Sequence, residues 1–97
     1  MVIGVLQIEL SIEGAASLKD KRRVVSSLKD RLHREHQVSV AEVGQQENHA
    51  AAVLGIVLAS SDATHCRTTL DGVLNKIIRH QRGYVLEDHA TEIISGR

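Results

Sequence analysis

Apolar residues recur along this chain at two spacings, and the changes of spacing mark its elements. From Leu6 to Ile12 they alternate strictly, with Leu6, Ile8, Leu10 and Ile12 on one side and Gln7, Glu9 and Ser11 on the other. That period predicts a strand over Val2–Ile12 with one buried face. Ile3 and Val5 add apolar groups to its otherwise polar face. After Gly14, Ala15 and Ala16 the period lengthens. Leu18, Val24, Val25, Leu28 and Leu32 make one apolar stripe at helical spacing. Ser17 is a good N-cap and Asp20 completes a capping-box-like pair, so a helix is expected from Ser17 to about Gln37.

Val38–Val43 is short and rich in β-branched residues, which predicts a second strand. Gly44–His49 is a polar loop of hairpin length. Ala50–Ala59 is apolar on both sides, as suits an interior strand. Ser61 or Asp62 is expected to cap a second helix. Its stripe of Ala63, Cys66, Leu70, Val73, Leu74, Ile77 and Ile78 is the most regular in the chain. Gly83 is expected to close this helix as the left-handed residue after its cap. Tyr84–Ile94 alternates poorly, because Glu87, Asp88 and Glu92 interrupt it, and an edge strand tolerates that. The order β-α-β-β-α-β, with right-handed crossovers and a central hairpin, gives a ferredoxin-like α+β sandwich. Its four-stranded antiparallel sheet takes the order 4-1-3-2, with both helices on one face, and residues 1–97 are expected to form one domain.

Composition changes this picture in two respects. There is no Phe or Trp and a single tyrosine, Tyr84, so the core must be aliphatic. A chain of 97 residues buries about 65% of its unfolded surface, enough for one modest core. The lone Cys66 excludes an internal disulfide and suggests a reducing compartment. No run approaches the length of a membrane span, and no signal-type segment opens the chain, so a soluble cytoplasmic protein is expected. The second respect is charge. The chain has 12 basic and 12 acidic residues, yet Ser17–His36 holds seven cations (Lys19, Lys21, Arg22, Arg23, Lys29, Arg31, Arg34) against three acids (Asp20, Asp30, Glu35). The neutrality is only an average, and the first helix is basic.

Two stretches, Ser17-Leu18-Lys19-Asp20-Lys21-Arg22 and Val38-Ser39-Val40-Ala41-Glu42-Val43, together with Ile3-Gly4 and Glu9-Leu10, resemble the YlxP-like family of small bacterial proteins. The resemblance covers essentially the whole chain and implies a ferredoxin-like fold. Genes of that family often lie among those for translation and ribosome maturation, which implies association with RNA or the ribosome. The chain departs from the family pattern at the hairpin, where Gln45, Gln46, Glu47, Asn48 and His49 replace an expected aromatic and acid.

The basic helix face has two readings. Lysine and arginine neutralise phosphates in a salt-sensitive, sequence-independent way. Charged helix faces are more often simply solvated, with i,i+4 pairs such as Arg31–Glu35. The residues singled out are Lys19, Arg22, Lys29 and His33 on one flank, and the topology is expected to bring Arg79, Arg82 and the hairpin tip toward Lys19, Lys21, Arg22 and Arg23 at the start of the helix. Lys21 falls inside the apolar stripe, where an unpaired ammonium is costly. It is expected either to snorkel outward or to pair with Glu42, a structural role rather than a catalytic one.

Other chemistries are argued down. His33 with His36, and His65 beside Cys66, lack a second ligand pair, so no metal is expected. Cys66 lies in an apolar stripe and reads as core. The strands lack the aromatics on which an RNA-recognition motif stacks bases. No phosphate-cradling glycine loop, nucleophile–base arrangement or cofactor motif is present. The sequence therefore points to a non-enzymatic accessory factor that contacts structured RNA or ribosomal particles through its first helix, without a cofactor. The competing reading is a homo-oligomeric ligand-binding or regulatory module. A homodimer covering the open sheet face or an edge strand is expected, because Ile3, Val5, Val53 and Val57 would otherwise leave an apolar patch exposed.

Overall fold

A computed structural model describes residues 1–96. The elements are β1 (Val2–Ile12), α1 (Leu18–His36), β2 (Ser39–Gly44), β3 (Ala51–Ser60), α2 (Ala63–Arg79) and β4 (Tyr84–Ile94). The strands form one antiparallel sheet in the order β2-β3-β1-β4, which is the expected 4-1-3-2 order read from its other edge. The protein is a ferredoxin-like α+β sandwich.

The even-numbered residues of β1 and β3 pair across the sheet, Leu6 with Ile56 and Ile8 with Leu54, and all four are fully buried. Val25, Leu28 and Leu32 of α1 and Cys66, Leu70, Val73 and Ile77 of α2 close over them. Gly4 lets α2 approach the sheet. A Cβ there would sit 3.0 Å from the side chains of Leu58 and Leu70.

Local chemistry sets the helix ends. The Ser17 hydroxyl accepts from the Asp20 amide at 3.2 Å, and the Asp20 carboxylate accepts in return from the amide of Ala16 at 3.0 Å. At the start of α2, Asp62 is the cap and accepts from the Thr64 amide at 2.9 Å. Gly83 does not take the role expected of it. The cap of α2 is His80, three residues earlier, and it is not left-handed. Side chains occupy the last helical carbonyls instead. The Tyr84 hydroxyl is shared between Ile77 O (3.1 Å) and His80 O (3.0 Å), and Gln81 Nε2 donates to Ile78 O (3.2 Å). With those acceptors satisfied, no glycine is needed to close the helix. Gly83, at φ 81°, turns the chain into β4 and packs beneath Val24 of α1.

Candidate anion-binding surface on the helical layer

Lys21 lies in the apolar stripe of α1 and is only 1% exposed. Its ammonium donates to two backbone carbonyls of the β2–β3 connection, Gln45 O (2.8 Å) and Gln46 O (3.3 Å), and to the first carbonyl of β3, Ala51 O (3.2 Å). Glu42 Oε2 is 2.8 Å away, as an ion pair without hydrogen-bond alignment. Glu42 pairs with Leu54 across the sheet, which turns its side chain toward the helices. Gln45 adopts a left-handed φ of 58°, which brings its carbonyl to the ammonium. Lys21 thus pins the hairpin to the start of α1, and its charge is spent inside the fold.

The remaining cations of α1 face outward on two flanks. Lys19, Arg22, Lys29 and His33 fall within roughly 80° of one another around the helix. Lys19 and Arg22 are exposed and Lys29 is half-buried. The His33 ring is engaged through Nδ1 with Val38 O at 2.8 Å, which places this flank beside the entry to β2 and leaves Nε2 for any outside partner. Arg23, Ser27 and Arg31, at strict i,i+4 spacing, form a second flank about 120° away. That flank faces the end of α2.

The helices are antiparallel, and this decides which α2 residues meet which α1 residues. Lys76 pairs with Glu35 at 2.7 Å, Gly72 lies beside His36, and Gly83 lies against Val24. The end of α2 therefore meets the middle of α1 and not its beginning. Arg82 shares a cleft with Arg23 and Arg31. Arg79 lines a different cleft, with His36, Asn75, Lys76 and His80. Arg82 thus meets Arg23, as the topology suggested, while neither Arg79 nor Arg82 shares these clefts with Lys19, Arg22 or Lys29. Glu35 likewise takes Lys76 and not Arg31 as its partner, and that hydrogen bond holds its carboxyl below the usual range.

The cleft between α1 and the α2–β4 loop has a volume of about 330 Å³. Arg23, Ser27, Arg31 and Arg82 supply its polar wall, and Val24, Leu28 and Tyr84 its apolar floor. Among the described residues, no carboxylate lies within ion-pair distance of any of the three arginines. Arg31 Nε is buried without a hydrogen-bond partner. Burial raises the pKa of Tyr84, and the neighbouring Arg31 opposes that rise. The loop carrying Arg82 is held at both sides: Glu13 N donates to Gly83 O at 3.0 Å, and Leu86 N donates to Gln81 Oε1 at 2.7 Å.

Four of the twelve acids lie behind the sheet. Glu9 stands opposite Asp88, Glu92 opposite Val5, and Glu87 accepts from the Ser11 hydroxyl at 2.7 Å, all on the face away from the helices. That open face is apolar toward β2, where Val43 and Val57 are 55% and 39% exposed. Cys66 is buried in the core. Among the described residues, no group of three or more His, Cys, Asp or Glu side chains could hold a metal ion. Nor is any described helix long and apolar enough to cross a membrane.

The fold and this charge distribution define a ferredoxin-like protein with a cationic helical layer and an open sheet face that is part acidic, part apolar. The chain belongs to the family described as "Protein of unknown function (DUF503)", which matches it over residues 3–89. It is 33% identical over 73 residues to the "Uncharacterized protein YlxP" of Bacillus subtilis (strain 168), covering 75% of this chain and 79% of that protein. The likeness carried by the SLKDKR run and by β2 is therefore a family relationship. Among solved structures, the de novo designed protein Foldit4 superposes with a TM-score of 0.55 at 14% identity, covering 99% of this chain and 98% of that one. SnoaB, a cofactor-independent oxygenase from Streptomyces nogalater, superposes with a TM-score of 0.53 at 12% identity, covering 99% and 93%. At such identities the likeness is one of fold.

Proposed function

We propose that this protein is a non-enzymatic accessory factor of the cytoplasm that contacts structured RNA or a ribosomal particle through its helical layer. One observation carries the reading: Lys19, Arg22 and Lys29 of α1 have no acidic partner among the described residues, while Glu9, Glu87, Asp88 and Glu92 lie on the opposite side of the molecule. A two-faced distribution of this kind orients a protein toward phosphates by one side only. With no Phe or Trp, and with its one tyrosine buried, the protein offers only histidine rings and arginine planes for stacking bases. Recognition rests on backbone charge and shape, and it discriminates weakly between sequences. The test is binding to ribosomal RNA and ribosomes across a salt series, with Lys19, Arg22 and Lys29 replaced together by Glu as the comparison.

A second reading is favoured by a separate observation. Val43 and Val57 lie exposed among Ala41, Gly55 and Ala59 on the open sheet face. Under this reading that face is covered by a second copy of the chain, and the protein is a homodimeric regulatory or ligand-binding module. Light scattering at high micromolar concentration distinguishes the two: a dimeric mass supports assembly, and a monomeric mass ends it.

A further inference from the structure

The arginine cleft lies outside the flank on which the RNA reading rests. Arg23 and Arg31 come from one side of α1, and Arg82 comes from the loop after α2. Three arginines line this one cleft, and like charges placed on one small surface repel one another. Among the described side chains, two cations lie within ion-pair distance of a carboxylate, Lys21 with Glu42 and Lys76 with Glu35. In the cleft no described carboxylate comes that close, although Glu35 attracts Arg31 from one helical turn away, and Arg31 Nε is buried without a hydrogen-bond partner. Guanidinium forks match the tetrahedral oxygens of a phosphoryl group, and Ser27 adds a hydroxyl one helical turn from each of Arg23 and Arg31. The volume of about 330 Å³ exceeds what a lone ion needs and reaches the lower end of small-molecule sites. Val24 presents the accessible apolar part of the floor, with the buried Leu28 and Tyr84 packed behind it.

We propose that the cleft formed by Arg23, Ser27, Arg31 and Arg82 is a binding site for a phosphate monoester. The group could arrive on the end of an RNA strand or on a free phosphorylated metabolite; the chemistry that recognises it is the same. The site does not depend on the RNA reading, since it uses the other flank of α1.

Tyr84 is the sole aromatic residue and forms part of the cleft, so its fluorescence reports occupancy. The experiment titrates the protein with inorganic phosphate, then with a nucleoside monophosphate, at ionic strength held constant with chloride. A saturable change in tyrosine emission is expected with both, and none with chloride alone. Arg31→Gln and Arg82→Gln should each weaken binding by about tenfold or more, the loss of a charge-assisted contact. Arg82 sits in an exposed loop, so its variant keeps the fold even if the Arg31 variant does not. The Lys19, Arg22 and Lys29 triple substitution should bind phosphate unchanged, which separates this site from the RNA flank. Stronger competition by a 5′-phosphorylated oligoribonucleotide than by its 5′-hydroxyl form assigns the site to strand ends. Equal competition by both, with tighter binding of the monophosphate, assigns it to a free metabolite. An emission change that follows ionic strength alone, or wild-type phosphate affinity in Arg82→Gln, overturns the proposal.

Discussion

Lys21 couples more of the molecule than any other single side chain. It joins α1 to three carbonyls and one carboxylate of the β2–β3 hairpin. Replacing it by Met should destabilise the protein by about 3–5 kcal/mol, since Glu42 and the carbonyls then lose their partner. Chemical denaturation of Lys21→Met, Glu42→Gln and the double variant checks this. The double variant should fall well short of the sum of the two, and strict additivity would show that the groups do not interact. Tyr84 gives a second test at this scale. Burial holds its hydroxyl neutral, so its pKa is raised. A group raised in the folded state contributes stability that is complete below the unfolded value, about 10, and lost as pH rises through the folded value. An absorbance titration of this lone tyrosine should have its midpoint above 10. Arg31→Gln should move it higher still by removing the opposing charge. A midpoint at or below the ordinary value would contradict the packing described.

Among the elements, the helix bodies were legible in the sequence, and so were their N-caps, because capping and period are local. Ser17, Asp20 and Asp62 act within four residues of themselves. The end of α2 was not legible, because Tyr84 returns from the next strand to take its carbonyls, a contact that helix-end rules do not anticipate. The arginine cleft was missed as a unit for a related reason. Topology alone brought Arg82 toward Arg23, but only the antiparallel packing of the helices shows that Ser27 and Arg31, further along α1, share the same cleft. Lys21 was recognisable as anomalous by its phase, while its carbonyl partners depend on the fold of the hairpin loop. Gly83 carries a prediction of its own. Its φ is +81°, and an added Cβ would stand 3.3 Å from Val24. Gly83→Ala should therefore cost about 1 kcal/mol or more. A thermal melt with an unchanged midpoint would show that the loop relaxes without penalty.

For the whole molecule, the separation of charge matters more than its sum. A net charge of +0 suggests no affinity for nucleic acid, yet α1 carries seven cations against three acids, and Glu9, Glu87, Asp88 and Glu92 lie behind the sheet. Binding of RNA to one side should show a steep salt dependence, and removing three phosphate contacts should reduce the logarithmic slope by about 2 to 3. The most direct measurement is the affinity of the intact protein for ribosomal RNA at about 50 mM salt, where phosphate attraction is strong. The account predicts measurable binding there, a steep decline as salt rises, and loss of binding when Lys19, Arg22 and Lys29 become Glu with circular dichroism unchanged. No binding by the wild-type protein at that salt, or equal binding by the folded triple variant, would contradict it.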